Sequence, residues 1–390
     1  MLYKKMLDVI QDVNTEVAER EEVVELLAIA LLTRKNMFLL GDTGQAKSQV
    51  INLFRDRIAG TRQFELLLTK QTDEGALFGT LDLKSYMDGE SRLNTADMIP
   101  ESDIVFLDEI FKSNEAILNS LLTAMNERRF TNHGVTVDIP VISFFSASNE
   151  IPNFNDPAEK ILLPLYDRFD IKVLTQYIQD RDTRLETMQH KQNSTGGTIG
   201  SSISLAELET MQREVRAVAV PGRVNELMDD ILCNLREKGI HISDRKYFGY
   251  YPLAQAKAYL GGRSCVGPQD LLILKNYLWM KPEQIGAVDS ELRRLCVNPM
   301  DNRLSEIRAM ADECLGEWND NGKSRTALRV VRDEFVSLYD RTLALAPEDL
   351  SRSEAQMVLD FITELNGRLR SAYETCGMTF VPLEEQKLMV

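Results

Sequence analysis

The chain has 390 residues, 44% of them hydrophobic and 27% charged, which is the composition of an ordinary globular protein with room for two or three domains. Its formal net charge of −15 argues against a surface built chiefly for nucleic acid, so we expect protein partners. No run of about eighteen apolar residues predicts a membrane span, and the N-terminal segment reads as an acidic amphipathic helix, not as a signal peptide.

Five cysteines without a Cys-x-x-Cys pair, together with three histidines, predict neither a disulfide framework nor a zinc site. Free cysteines favour a reducing compartment, so we expect the chain in the cytoplasm.

The first elements predict an α/β nucleotide-binding domain. Helical periodicity covers residues 2–33, and a short apolar run at 37–40 stops at a glycine. A buried strand, a glycine-containing loop and a helix from 48 to 58 form the unit expected of such a domain. Residues 64–69 can form a second strand, and residues 73–100 predict a helix interrupted by a hairpin.

The loop GDTGQAKS, which begins at Gly41, has the phosphate-binding pattern except that Ala46 stands where its last glycine is expected. Such a loop presents backbone N–H groups to phosphates at the start of a helix. Lys47 would reach the β- and γ-phosphates, and Ser48 would offer its hydroxyl to Mg²⁺. A chance match in a turn before a helix is the alternative. The residues expected to bind ATP are Gly41, Thr43, Gly44, Gln45, Ala46, Lys47, Ser48 and Gln49.

Residues 102–108 predict a third, fully buried strand that is apolar until it reaches two acids. Asp108 as a Mg²⁺ ligand and Glu109 as the base that orients the attacking water meet the needs of phosphoryl transfer. The alternative is an exposed acidic turn after a core strand.

An amphipathic helix over residues 113–129 precedes a fourth strand at 141–146. In a parallel sheet Asn149 would then lie beside the two acids, where its amide can help to hold the lytic water or the γ-phosphate. Asn149 can equally be a residue that merely ends a strand.

Farther along the chain, Arg168 is either an arginine finger for a neighbouring subunit's ATP or one partner of a surface ion pair with Asp167 or Asp170.

The C-terminal half of the chain changes character after a polar stretch rich in Gly and Ser, which predicts a flexible linker at residues 191–204. Residues 205–285 predict a small helical domain. Residues 286–390 predict further helices, with a strand-like run only at 378–382.

These motifs resemble the MoxR family of AAA+ ATPases, most closely its RavA-like branch. The likeness is carried by GDTGQAKS, by DEIFK with the following AILN and MNERRF, by SASNE and by LPLYDRFD. The tripeptide Leu77-Phe78-Gly79 opens the insertion typical of the helix-2-insert group. The RavA-like branch also tolerates alanine before the lysine of the phosphate loop.

The resemblance covers residues 1–285. It implies an α/β P-loop AAA+ core at 1–190 with a parallel sheet flanked by helices, a helix-2 insert at about 80–98, and an all-α lid at 205–285. It also implies hexameric rings that bind ATP between subunits. The motif HISDRK resembles the lid motif of the second sensor, which makes Arg245 the fourth candidate catalytic residue beside Glu109, Asn149 and Arg168.

The family's function implies remodelling of a protein client in a chaperone-like manner, with a von Willebrand A-domain protein as partner. The β-rich module through which the RavA type binds a lysine decarboxylase has no counterpart in residues 286–390, so that partner is not expected. Two alternative hypotheses for the function are a nucleic-acid-linked motor and a nucleotide-gated scaffold without catalysis.

Overall fold

The computed structural model describes residues 2–89, 92–132, 135–193, 200–297, 299–320, 322–345 and 352–387. The chain divides into two compact units, residues 1–289 and 290–390. The strands within the described residues are β1 Met37–Leu40, β2 Ile58–Ala59, β3 Gln63–Leu67, β4 Thr80–Leu81, β5 Leu93–Asn94, β6 Ile104–Asp108, β7 Arg129–Asn132, β8 Val135–Asp138, β9 Ser143–Ser148, β10 Ile171–Leu174 and β11 Ile203–Ser204.

The α-helices of the first unit begin with two at the N-terminus and end with the helices of the predicted lid. They are α1 Leu2–Glu16, α2 Glu21–Thr33, α3 Lys47–Arg55, α4 Gly75–Phe78, α5 Leu83–Met87, α6 Glu115–Glu127, α7 Leu163–Asp167, α8 Arg181–Asn193, α9 Leu205–Arg216, α10 Gly222–Glu237, α11 Asp244–Phe248, α12 Tyr251–Leu260 and α13 Lys275–Leu278. Helix α14, Ile285–Cys296, follows them across the unit boundary.

A five-stranded parallel sheet forms the centre of the first unit, with the order β10-β1-β9-β6-β3. Strands β1 and β9 are buried along their whole length, which explains their continuous apolar or small side chains. The serines of β9 are satisfied within the sheet region, since Ser143 Oγ donates to the carbonyl of Ala30 and Ser146 Oγ to that of Leu107. This confirms the predicted α/β fold.

The register of the sheet brings several strand ends to one edge. Leu40 is paired with Ser148 and with Leu174, and Asp108 is paired with Ala147. Because the strands are parallel, the residues that follow each of them emerge at the same carboxyl edge, which is where ligands of open α/β sheets bind.

The structure differs from the sequence expectations in several places. Strand β10 was not predicted, and neither was the β7–β8 hairpin that follows α6. The predicted N-terminal helical region is two helices, separated by a turn in which Glu19 has a φ of 52°. The segment 73–100 does contain a hairpin, since β4 pairs antiparallel with β5 around helix α5.

The predicted linker at 191–204 has ordered ends, because α8 continues to Asn193 and strand β11 pairs with β2. Residues 194–199 of that stretch lie outside the described part of the chain.

The second unit is helical, with α15 Pro299–Asp320, α16 Leu328–Ala344, α17 Arg352–Thr375 and α18 Leu383–Lys387. Its apolar core includes Leu304, Phe335 and Leu365. The run at 378–382 is not a strand in the structure, so that expectation was wrong. None of the helices in the described part of the chain has the length and apolar character that a membrane crossing requires.

Candidate active site

The phosphate loop joins β1 to α3 at the carboxyl edge of the sheet. Ala46 is the residue before α3 and has φ 60° and ψ 24°, a left-handed conformation that glycine adopts more readily than alanine. This backbone geometry explains why glycine is expected at that position. Gly41 is required for a different reason, since a Cβ there would lie 2.1 Å from Thr175 Oγ1 and 2.2 Å from Gln45 Oε1.

Lys47 begins helix α3, and its amino group faces the edge of the sheet. Its Nζ donates to the carbonyls of Gly41 and Asp42, the latter at 2.9 Å, and to Asn149 Oδ1 at 2.9 Å. Burial lowers the pKa of Lys47, and the carboxylates of Asp108, Glu109 and Asp42 oppose this shift. No carboxylate forms an ion pair with this ammonium group among the described residues, so its charge can meet a phosphate.

Ser48 and Asp108 form the candidate Mg²⁺ site. Ser48 Oγ lies 3.4 Å from Asp108 Oδ2. Burial raises the pKa of Asp108, and the neighbouring charge of Glu109 acts in the same direction. A half-buried carboxylate next to a hydroxyl is the oxygen donor set that Mg²⁺ prefers, so these residues fit the ion.

Glu109 and Asn149 are joined by a hydrogen bond. Asn149 Nδ2 donates to Glu109 Oε1 at 3.0 Å, and Ser148 Oγ lies 3.3 Å from Glu109 Oε2. Lys112 forms an ion pair with the same carboxylate at 3.3 Å. Glu109 has φ 52° and ψ 45°, a strained conformation for a residue with a side chain, and such strain is concentrated at functional sites. A single amide therefore connects Lys47 to Glu109.

Three residues around the phosphate loop were not identified from the sequence. Arg20 Nη2 donates to the carbonyl of Gln45 at 3.2 Å, and Tyr177 Oη donates to the carbonyl of Thr43 at 3.1 Å. Thr175 Oγ1 lies 2.6 Å from Gln45 Oε1. Thr175 and Tyr177 follow strand β10, so a prediction of that strand would have located them. No sequence pattern around Arg20 indicates that it contacts the phosphate loop.

Clefts border the phosphate loop on two sides. One, of about 570 Å³, is lined by Gly41, Asn149 and Tyr177 and reaches Glu283 in the predicted lid. The other, of about 290 Å³, lies between the loop at Ala46 and the α1–α2 turn. A concave site with a few convergent polar groups is the usual form of a small-molecule site.

The candidate arginines lie in a second group of residues. Arg168 follows α7, and its Nε is buried without a hydrogen-bond partner in the described part of the chain. The two carboxylates proposed as its surface partners are engaged elsewhere, Asp167 with Arg245 at 3.8 Å and Asp170 with Lys35 at 3.1 Å. The structure therefore brings Arg245 next to the segment that carries Arg168.

Comparison with known proteins agrees with this architecture. Residues 4–213 match the family described as the MoxR domain in the MoxR-vWA-beta-propeller ternary systems, and residues 223–292 match the AAA lid domain. A protein of Cytophaga hutchinsonii, whose crystal structure is described as that of "a putative ATPase", superposes with a TM-score of 0.60 over 75% of this chain and 94% of its own. At 18% identity, this likeness shows the fold alone.

Relatives at the sequence level include two proteins of Methanocaldococcus jannaschii. Uncharacterized protein MJ0812 is 31% identical over 82% of this chain and 83% of its own length. Uncharacterized protein MJ0079 is 33% identical over 70% of each chain. A structural protein, ORF618, of Acidianus two-tailed virus is 27% identical over 60% of this chain and 41% of its own.

The parallel sheet, the phosphate loop at its carboxyl edge and the helical lid define a P-loop ATPase of the AAA+ class. The match to the MoxR domain extends over more than half of the sequence. The chain belongs to the MoxR family of AAA+ ATPases.

Proposed function

We propose that the chain hydrolyses ATP with Mg²⁺ at the carboxyl edge of its sheet. Lys47 would bind the β- and γ-phosphates, Ser48 and Asp108 would hold Mg²⁺, and Glu109 would orient the attacking water. The metal would neutralise charge that develops on the phosphates. The observation that carries the proposal is the bridge from Lys47 through Asn149 to Glu109, because it joins the phosphate-binding cation to the base.

We further propose that catalysis takes place between subunits of a homo-oligomeric ring, hexameric by family likeness. Arg168 supports this because the two carboxylates next to it are paired with other cations, Asp167 with Arg245 and Asp170 with Lys35. Arg245 supports it too, since its side chain is 43% exposed and only 3.8 Å separates it from Asp167, next to Arg168. Both arginines would then reach the ATP of a neighbouring subunit as part of one surface.

The work done by hydrolysis would be the remodelling or activation of a protein client, with the helix-2 insert around α5 contacting that client. The name of the matching family mentions a von Willebrand A-domain protein, which supports a partner of that kind. Assignment to a RavA-like branch rests on Ala46 and the DEIFK motif. The helical second unit gives no support to a lysine decarboxylase partner. The free state of all five cysteines agrees with the proposed cytoplasmic location.

A phosphate-release assay tests the catalytic assignment. Glu109→Gln should bind ATP normally and lower turnover by about 10² to 10⁴-fold, because the isosteric amide cannot accept the proton of the water. Lys47→Ala should instead lose nucleotide binding, measured by titration calorimetry. Normal turnover in Glu109→Gln would show that the base is another residue.

The same variant offers a route to the client. Glu109→Gln held in ATP should retain bound protein, and a von Willebrand A-domain protein among the retained species would support the proposed partner. Lys47→Ala is the matched control, because it cannot enter the ATP state. Equal recovery of every protein with both variants would argue against an ATP-dependent client.

A further inference from the structure

Arg20 is a buried arginine whose guanidinium group is bound by backbone carbonyls. It directly precedes helix α2 and is 6% exposed. Its Nη1 donates to the carbonyl of Glu19 at 2.7 Å, and its Nη2 donates to the carbonyls of Gln176 at 2.7 Å and Gln45 at 3.2 Å. No carboxylate forms an ion pair with it among the described residues. Because buried arginines are normally paired with an acid, the three carbonyls must account for its position.

The three carbonyls belong to three segments of the chain. Glu19 lies in the α1–α2 turn, Gln176 follows strand β10, and Gln45 belongs to the phosphate loop. A guanidinium group is a planar fork of N–H donors, so one side chain can hold all three segments in a fixed relation. The turn is anchored in addition by the carboxylate of Glu19, which accepts the backbone N–H groups of Gln179 at 3.1 Å and Asp180 at 3.2 Å. The phosphate loop is therefore tied to a turn that is itself held in place.

The hydrogen bond to Gln45 also sets the direction of the next backbone N–H. The described chain has no cis peptide bond, and in a trans peptide the C=O and N–H groups point in opposite directions. Since the carbonyl of Gln45 points to Arg20, the N–H of Ala46 points away from it, and this N–H has no acceptor among the described residues. It lies at the start of helix α3, where free N–H groups bind phosphates. Arg20 thus orients a donor that a phosphate would use.

The same peptide precedes a strained residue. Ala46 has φ 60° and ψ 24°. For alanine, this left-handed conformation is disfavoured by about five- to thirtyfold, a penalty that glycine does not carry. The angle φ of Ala46 sets how the preceding peptide is turned relative to that residue, so a hydrogen bond to the carbonyl of Gln45 restrains it directly. The bond from Arg20 therefore acts on the angle that alanine makes costly.

We propose that Arg20 is a positioning residue, which holds the peptide between Gln45 and Ala46 in the phosphate-binding orientation and so offsets the strain of an alanine in this loop. It acts on the nucleotide only through the backbone N–H of Ala46. The inference rests on the proposed function for the identity of the ligand, whereas the restraint on the loop can be measured without nucleotide.

Tyr177 offers a matched comparison within the same loop. Its Oη donates to the carbonyl of Thr43 at 3.1 Å, which is again a bond from a side chain to a carbonyl of the loop. The peptide that it holds precedes Gly44, which has φ 84° and carries no left-handed penalty. Tyr177→Phe should therefore weaken nucleotide binding by a factor that does not depend on the residue at position 46.

The experiment is a double-mutant cycle in the full chain that combines Arg20→Met with Ala46→Gly. Titration calorimetry with ADP and Mg²⁺ measures binding without hydrolysis. Arg20→Met should weaken ADP binding by about ten- to a hundredfold, and Ala46→Gly should recover about fivefold or more of that loss. Tyr177→Phe should lose the same factor with alanine and with glycine at position 46.

Arg20→Lys separates the hydrogen bonds from the charge and disturbs the fold less. It keeps the positive charge but lacks the planar fork that reaches all three carbonyls, so it should also weaken ADP binding and should also be improved by Ala46→Gly. Parental affinity in Arg20→Lys would show that charge alone is enough and would overturn the positioning role.

Unfolding in urea without nucleotide gives the second readout. The four chains of the cycle would carry Trp318→Phe, so that the fluorescence of Trp279 reports on the first unit alone. Ala46→Gly should stabilise the parent more than it stabilises Arg20→Met, because only a loop that is held left-handed carries the strain. The freedom that glycine adds to the unfolded chain is the same in both backgrounds and cancels.

Three results would overturn the inference. One is a loss of ADP affinity in Arg20→Met that is equal in both backgrounds, and another is an equal effect of Ala46→Gly on unfolding in both. The third is recovery of Tyr177→Phe by Ala46→Gly to the same extent, since glycine would then improve the loop irrespective of Arg20. If the parent binds no ADP, the proposed function fails, while the unfolding comparison still decides whether Arg20 restrains Ala46.

Discussion

Two groups of residues in the first unit differ in how completely their polar groups are paired. The phosphate side consists of Lys47, Ser48, Asp108, Glu109 and Asn149, and the arginine side consists of Arg168 and Arg245. Around the phosphate loop, Lys47 contacts Asn149, Asn149 contacts Glu109, and Ser48 contacts Asp108. On the arginine side, Arg168 keeps a buried Nε without a partner in the described chain, and Arg245 has two long contacts, an ion pair with Asp167 at 3.8 Å and a hydrogen bond to Asn126 Oδ1 at 3.5 Å.

This difference singles out the arginine side as the one that a second molecule would complete. The phosphate side is preorganised, so bound nucleotide would meet groups already in place. The Arg245 side chain is 43% exposed, so an anion on a second molecule can reach its guanidinium group. The contrast therefore supports a site that is completed by a neighbouring subunit.

The largest expected effect on turnover comes from removing the guanidinium group of Arg168. Arg168→Ala should lower kcat by about 10³ to 10⁵-fold and leave ATP affinity within about threefold, because the finger acts on transition-state charge and not on ground-state binding. Steady-state phosphate release and nucleotide titration measure the two quantities. Loss of nucleotide binding would instead place Arg168 in its own subunit's site.

Mixing two inactive variants tests directly whether Arg168 acts on the ATP of a neighbouring subunit. Equal amounts of Arg168→Ala and Glu109→Gln chains should recover activity at about one quarter of the interfaces, since random assembly in a ring pairs an intact base with an intact arginine at that frequency. Neither variant alone should show it. No recovery from a mixture shown to co-assemble would contradict action between subunits.

A smaller effect is expected from breaking the bridge on the phosphate side. Asn149→Ala removes the amide between Lys47 and Glu109, and loss of one such preorganised contact should lower kcat by about 10²-fold. Asn155→Ala, an exposed asparagine in the same loop region, is the control and should be unaffected. If Asn149→Ala changes KM alone, the amide binds nucleotide without orienting the base.

The sequence predicted most of the phosphate side because its residues follow buried strands with a recognisable apolar pattern. The positions of Asp108 and Asn149 follow from the parallel register alone. Ala46 was predicted to be tolerated, and the structure gives its physical meaning as a left-handed φ. The α/β fold was predicted for the same reason.

The remaining features depend on contacts that no local pattern encodes. Strand β10 was missed because it is short and contains Lys172, a residue that normally marks an exposed position. The role of Arg20 near the phosphate loop depends on how the α1–α2 turn packs, and the contact of Arg245 with Asp167 depends on how the lid folds onto the core. Such tertiary contacts override what side-chain type predicts.

The smallest expected effect comes from the residues that support the phosphate loop. Thr175 Oγ1 lies 2.6 Å from Gln45 Oε1 and 3.1 Å from the carbonyl of Leu40, and its proton can satisfy one of them. Thr175→Val keeps the shape and removes that donor, which leaves the 4% exposed Gln45 side chain without it. Because one neutral hydrogen bond contributes about 0.5–1.5 kcal/mol, ATP affinity should fall by up to about tenfold.

Thr123→Val is the matched control, since its hydroxyl donates to the carbonyl of Asn119 on an exposed helix face and nothing near the nucleotide depends on it. Nucleotide titration and thermal unfolding would be measured for both variants. If Thr175→Val lowers thermal stability to the same extent as it lowers affinity, the hydroxyl supports the sheet edge as a whole. A loss of affinity at unchanged stability would instead mean that the phosphate side owes its preorganisation to individual contacts such as this one, and this is the outcome that the hydrogen bonds of the loop predict.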